Sequence, residues 1–204
     1  MPSKELSMLN IETYPLGSYQ TNCYIVFDDD SSECIVIDPG YEPDTVLLAV
    51  KRLKKDIAAI LLTHGHFDHV GAVKDLVAET DCKVYIHEYD LSLPATLTAG
   101  PLYYTDLYAE GDTLSLAGLS VGVLHTPGHT PGCVCLAIEN NLFSGDTLFR
   151  DSCGRTDLPG GNSGEIFKSL RRLAALEGDF RVLPGHGMET TLDEERQYTP
   201  YMHG

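Results

Sequence analysis

The stretch Leu61-Leu62-Thr63-His64-Gly65-His66-Phe67-Asp68-His69-Val70-Gly71 decides how this chain is read. An apolar run leads into it, and a segment with Val70, Val73, Leu76 and Val77 at helical spacing follows it. Four potential metal ligands, His64, His66, Asp68 and His69, therefore crowd one strand-to-helix turn, where their side chains can converge. Imidazole suits zinc and iron, and an added carboxylate keeps the site compatible with a hydrolytic divalent ion, manganese included. The bland alternative is three surface histidines beside an Asp helix cap. It requires H-x-H-x-D-H to arise by chance in a chain with 8 His, which is rare.

Outward from that turn, short β-branched runs recur between turns: Cys23–Phe27, Cys34–Ile37, Ala58–Leu62, Lys83–Ile86, Leu119–Leu124, Cys133–Ile138 and Arg181–Leu183. If 133–138 is a strand, Cys133 and Cys135 share a face as packing residues. Three segments have helical period instead: Val46, Leu47, Val50 and Leu53; Val70, Val73, Leu76 and Val77; Ile166, Phe167, Leu170 and Leu173. Helices interleaved with strands in each half predict an α/β fold, an αββα sandwich of two mixed β-sheets flanked by helices. The 204 residues fit one domain, 1–204, with no clear linker. The stretch from Ser92 to Asp112 lacks periodicity and holds Tyr103, Tyr104 and Tyr108, which reads as a functional loop or as aromatic padding of the core. A T-x-x-E capping box, Thr191 to Glu194, predicts a short helix near the end.

Three later residues could complete a two-metal site. His129 lies in Thr126-Pro127-Gly128-His129-Thr130-Pro131-Gly132, Asp146 in Ser144-Gly145-Asp146-Thr147, and His186 in Leu183-Pro184-Gly185-His186-Gly187. Each sits at a strand end beside Gly or Pro, where backbone can approach a metal closely. Singly each is a weak signal; with the first cluster they gain weight.

The net charge of −16 disfavours nucleic acid as a partner, because an acidic surface repels phosphate backbones. No apolar run approaches the ~18 residues of a membrane span, and Met1-Pro-Ser-Lys-Glu lacks the character of a secretory signal. The six Cys form no C-x-x-C pair, so reduced thiols and a cytoplasmic location are expected. His87, His125 and His203 read as structural or exposed.

With these residues in view, the chain resembles the metallo-β-lactamase superfamily along nearly its whole length. The matching positions are Asp38 in I-D-P-G, the H-x-H-x-D-H run at 64–69, His129, Asp146 and His186. Within the superfamily it looks closest to the glyoxalase II (hydroxyacylglutathione hydrolase) branch, through T-H-G-H-F-D-H, H-T-P-G-H-T-P-G-C at 125–133 and S-G-D-T-L-F at 144–149. That resemblance implies two divalent ions, zinc first with iron or manganese as alternatives. His64, His66 and His129 would hold the first ion and Asp68, His69 and His186 the second, with Asp146 bridging. Asp38 would orient a metal-bound imidazole; a plain Asp-Pro-Gly turn is its other reading. Only 18 residues follow His186, so the helical domain of full-length glyoxalase II is expected to be absent, as in a short bacterial group.

The implied chemistry is hydrolysis of a small-molecule thioester such as S-lactoylglutathione by a metal-bound hydroxide, with Asp68 orienting it or accepting its proton. A thioester suits such a site because its thiolate leaves without a dedicated general acid. Arg150 and Arg155 are rare cations in the Gly-rich loop after Asp146. Arg155 could clamp a substrate carboxylate; alternatively both pair with Asp151 or Asp157. Competing readings are a mononuclear iron persulfide dioxygenase, suggested by H-T-P-G-H-T and G-R-T-D at 154–157, a hydrolase of another acyl substrate such as a lactone, and a metal-binding protein without catalysis. The sequence leaves the oligomeric state open.

Overall fold

The computed structural model describes residues 9–202. The first half builds one six-stranded sheet from β1 (Leu9–Leu16), β2 (Thr21–Asp28), β3 (Glu33–Ile37), β4 (Asp56–Leu61), β5 (Lys83–His87) and β6 (Asp106–Tyr108), ordered β1-β2-β3-β4-β5-β6. Strand pairs are antiparallel up to β3 and parallel from β3 to β6. Crossovers through α1 (Pro43–Leu53), and through α2 (Phe67–Val70) followed by α3 (Val73–Thr80), make the parallel part possible.

The second half builds the other sheet from β7 (Thr113–Leu116), β8 (Leu119–His125), β9 (Val134–Ile138), β10 (Asn141–Gly145), β13 (Arg181–Pro184) and β14 (Thr190–Thr191), ordered β14-β13-β10-β9-β8-β7. Its one parallel pair is β10 with β13, joined through α5 (Ser163–Ala174). A two-stranded ribbon, β11 (Leu148–Phe149) with β12 (Ser152–Cys153), and two short helices, α4 (Ala95–Thr98) and α6 (Leu192–Tyr198), complete the chain.

Strand parity explains the layering. In β2, Tyr24 and Val26 point into an inter-sheet core with Ile35, Ile37, Leu61, Val121, Leu136 and Phe143. Cys23 and Ile25 point the other way, against Val46 and Val50 of α1 and Val73 and Leu76 of α3. On the far side, Leu142 and Val182 meet Ile166, Leu170 and Leu173 of α5. Strands buried on both faces read as continuous apolar runs. Two mixed sheets between helical layers form the expected αββα sandwich. No helix among the described residues is long and apolar enough to cross a membrane.

Several local expectations need correction. The periodic segment from Val70 to Val77 is two helices, because Ala72 N–H donates to Pro39 O (3.0 Å) instead of continuing the α2 ladder. A Cβ at Gly71 would collide with Gly40 O, so the Asp-Pro-Gly loop wedges into the break. The region from Ser92 to Asp112 carries α4 and β6 rather than plain loop; Tyr108 is buried core, whereas Tyr103 and Tyr104 are exposed. The ninth strand starts at Val134, which leaves Cys133 outside it, its sulphur 3.1 Å from Thr130 Oγ1. All six cysteines are free thiols. Thr191 caps α6 by accepting from Glu194 N–H at 3.2 Å. His203 lies outside the described residues.

Candidate metal centre

The ligand-type residues meet where the two sheets come together. His64, His66, Asp68 and His69 follow β4 of the first sheet; His129 follows β8, Asp146 follows β10 and His186 follows β13 of the second. Cross-sheet hydrogen bonds hold these loops in register. Thr63 O accepts from Val134 N–H (2.9 Å), and Asn22 N–H donates to Gly185 O (2.8 Å). Asn22 Nδ2 (2.9 Å) and the Tyr24 hydroxyl (2.6 Å) both donate to Pro184 O, so β2 fixes the His186 loop. Two glycines are needed for the close packing. A Cβ at Gly185 would collide with Asp146 Oδ1 and His69 Cε1, and Gly145, at φ +48°, leaves no room for a side chain against Thr63 Oγ1.

Three groups of ligand-type atoms lie within 4.8 Å of one another: His64, His66 and His129; Asp68, His69 and His186; and His64, His69 and Asp146. The Asp146 carboxylate touches both main groups, with Oδ1 3.4 Å from His69 Nε2 and Oδ2 3.5 Å from His129 Nε2 and 3.6 Å from His186 Nε2. All seven predicted ligands are brought together.

Outer partners select which nitrogen each ring turns inward. His69 Nδ1 pairs with Asp38 Oδ2 (2.9 Å), His129 Nδ1 with Arg155 O (2.8 Å), His186 Nδ1 with Tyr19 O (3.2 Å) and His64 Nδ1 with Thr63 Oγ1 (3.2 Å). These four rings keep Nε2 for the centre. His66 instead sets Nδ1 2.9 Å from His129 Nε2. Asp38 also accepts from Thr63 N–H (2.8 Å) and Thr63 Oγ1 (2.6 Å), and holds a left-handed backbone at φ +50°.

Charge is arranged to suit cations. Burial, reinforced by the neighbouring histidines, pushes the His66 pKa down to about 4 and holds His64 well below the ordinary imidazole value, so both present lone pairs at neutral pH. Burial opposes ionisation of Asp68 and Asp146, but a hydrogen bond from His186 to Asp68, and charge from His69 and His186 on both, outweigh it and hold both carboxyls below their usual range. His69 and His186 are raised: burial works against their charge, and the carboxylates of Asp146, Asp38 and Asp68 prevail.

Among the described residues, His64 Nε2, His66 Nε2, His69 Nε2 and Asp146 Oδ1 are buried without a hydrogen-bond partner. Four such atoms in one cluster would carry a heavy desolvation cost in a purely structural role. Divalent cations relieve that cost, and the imidazole and carboxylate donors fit them.

Two parts of the site have weak signals in the sequence. Asp90 is fully buried and accepts from Gly65 N–H (2.7 Å), Gly132 N–H (2.6 Å) and Thr130 Oγ1 (2.9 Å), tying the loop of His64 and His66 to the loop of His129. The cleft above the ligands, about 330 Å³, is walled by Tyr19, Phe67, Leu97 and Leu158, with Arg155 at its rim. The Arg155 side chain makes a two-pronged pair with Asp157, at 2.7 Å on both prongs, and Arg150 Nε lies 4.0 Å from Asp151. Among the leftover histidines, His87 is buried, accepts from Tyr89 N–H and stacks on His125, with centroids 4.2 Å apart.

Residues 16–186 match the model of the metallo-beta-lactamase superfamily, and the chain belongs to that superfamily. It is 35% identical over 210 residues to the hydroxyacylglutathione hydrolase GloC of Haemophilus influenzae, covering 95% of this chain and 98% of that one. Among solved structures, it resembles the BLEG-1 B3 metallo-beta-lactamase at 35% identity with a TM-score of 0.87, covering 96% of this chain and all (100%) of that one. It also resembles TTHA1623 in a di-iron-bound form, at 40% identity with a TM-score of 0.82, covering 93% of this chain and 99% of that one.

Proposed function

We propose that this protein is a dinuclear metallohydrolase that cleaves a thioester, with S-lactoylglutathione as the first substrate to test. The observation that carries the dinuclear reading is Asp146, whose carboxylate lies between the two ligand groups, with Oδ2 3.5 Å from His129 Nε2 of one and 3.6 Å from His186 Nε2 of the other. A mononuclear iron site on His64, His129 and Asp146 would leave Asp68, His69 and His186 gathered without a task. Zinc is the expected ion, with iron or manganese as alternatives; the di-iron form of TTHA1623 keeps iron in view.

His64, His66 and His129 would hold one ion and Asp68, His69 and His186 the other. Such ions make water nucleophilic near neutral pH and polarise an acyl carbonyl. Asp68 remains ionised at neutral pH, which suits it to accept a hydrogen bond from the attacking water and orient it. Thr21 Oγ1 donates to Asp68 Oδ2 at 3.2 Å and fixes that carboxylate. Tyr19, Phe67, Leu97 and Leu158 line the cleft and would pack around a bound substrate. Arg155 is the cation available to a substrate carboxylate, provided that carboxylate displaces Asp157. A thiolate leaving group asks little of an acid, which matches a cleft whose carboxylates are held ionised. The likeness to GloC supports a glutathione thioester as the probe.

The test is metal analysis of replete protein joined to a hydrolysis assay. Two equivalents of metal and chelator-sensitive release of glutathione are expected. A plateau at one iron, with oxygen uptake on a persulfide, would overturn the reading in favour of a dioxygenase.

A further inference from the structure

Among the described residues that line the cleft, Arg155 is the one permanent cation, and it is already matched. Arg155 Nε and Nη2 donate to the two oxygens of Asp157, each at 2.7 Å, the two-pronged geometry that a substrate carboxylate would also adopt. The Arg155 hydrogen bonds hold the Asp157 pKa at about 2, so Asp157 stays charged at any working pH. Behind this pair the walls are Tyr19, Phe67, Leu97 and Leu158, which offer contact area and no charge. Tyr19 and Phe67 brace each other edge to face, with centroids 5.4 Å apart. The chain as a whole carries −16, so the surrounding field also disfavours anions.

We propose that Asp157 is a specificity-determining residue: it occupies the Arg155 fork, so that the cleft selects thioesters with a neutral thiol portion over those that carry carboxylates. The inference rests on the hydrolase reading and deepens it by naming the substrate class. The competition is one of degree. Side chains of both residues are well exposed, at 61% and 67%, and exposed ion pairs are weak, so a substrate carboxylate can displace Asp157 at a several-fold disadvantage. Removing the Asp157 charge frees the fork and deletes one repulsive charge together.

The experiment compares two esters with the same acyl group, S-lactoylglutathione and S-lactoyl-N-acetylcysteamine, on metal-replete wild type, Asp157→Asn and Arg155→Gln. The ratio of kcat/KM for the neutral ester to that for the glutathione ester is the readout. It should exceed one in wild type, fall about 5-fold in Asp157→Asn through KM, and rise in Arg155→Gln. A ratio that stays within two-fold across the three proteins overturns the proposal. Calorimetric binding of S-hexylglutathione reads the same competition without turnover. If neither ester is hydrolysed by any form while Asp157→Asn binds S-hexylglutathione about 5-fold tighter, the hydrolase reading falls and the role of Asp157 stands. If that binding does not tighten either, both fall.

Discussion

Asp38 Oδ2 lies 2.9 Å from His69 Nδ1, and neither side chain is exposed to solvent beyond 2%. This contact fixes the ring that faces both Asp68 and Asp146. The same carboxylate takes two hydrogen bonds from Thr63, so three donors converge on two oxygens. Asp38→Asn puts an amide N–H₂ against one of those donors. It should lower affinity for the more weakly held metal about 10–100-fold and destabilise the fold by roughly 2–3 kcal/mol. Competition with a chromophoric chelator reads the first and urea unfolding the second. Unchanged affinity with lost stability would reduce Asp38 to a turn residue.

On the dinuclear proposal, Asp146 is the residue that separates a coupled pair of metals from two independent sites. Asp146→Asn keeps the side chain's size and removes the charge shared between the two ligand groups. Occupancy of both sites should fall together, and turnover should drop by roughly 10²-fold or more. His186→Ala should deplete mainly one metal and leave the other bound. Metal content and turnover at fixed pH and fixed free zinc distinguish the two variants. Retention of two metals and near-native rates in Asp146→Asn would remove the bridging role.

The hydrogen bonds of Asp90 go to Gly65, Thr130 and Gly132, and they fasten together the loops that carry His64, His66 and His129. Asp90→Ala strands two backbone N–H groups and one hydroxyl in a buried space, at a cost of roughly 3–5 kcal/mol. The resulting slack should weaken the site of His64, His66 and His129 more than the site of Asp68, His69 and His186. Stepwise cobalt titration followed by visible absorption resolves the two sites. Equal weakening of both would mean that Asp90 acts only on global stability.

His87 gives the fold an acid-sensitive element away from the candidate metal centre. Burial, and then charge on the stacked His125, lower its pKa to about 4, with Glu110 opposing. An unfolded chain takes up this proton near 6.5. The neutral ring therefore contributes its full stability above about pH 6.5, and that contribution is lost as pH falls toward 4. The folded state should lose about 1–2 kcal/mol from this group between pH 7 and 4.5. His87→Asn, which retains an acceptor for Tyr89 N–H, should show a shallower decline in urea midpoint over that range. Parallel declines in the two proteins would contradict it.

The strands that the sequence reveals are those buried on both faces, such as β2, β3 and β5, whose apolar runs need no context. The first strand escapes because Leu9–Leu16 is an edge strand, half-buried and interrupted by Pro15, so its pattern is diluted. The break at Gly71 escapes because its cause, Pro39 O, lies more than thirty residues away. The candidate metal ligands are legible since few other tasks require His and Asp at that spacing, and the structure gathers them. Asp90 is not, since its partners lie 25, 40 and 42 residues away and nothing in Glu88-Tyr89-Asp90-Leu91 hints at them. The Arg155–Asp157 pair stands between these extremes: two residues apart, it is visible as a possibility, but only the geometry shows the fork filled.

One sheet is complete by Tyr108 and the other begins at Thr113, so the chain writes its two sheets one after the other. His64, His66, Asp68 and His69 belong to the first half, and His129, Asp146 and His186 to the second. A polypeptide nicked at Glu110-Gly111 would thus yield two pieces, each with an intact hydrogen-bonded sheet and an incomplete set of donors. Metal bound between them would then act as the clasp of a split protein. Zinc should drive the pieces to reassemble, and a chelator should part them again. In the unbroken chain the same logic makes metal loading a source of cohesion between halves, so thermal resistance should rise with free metal concentration.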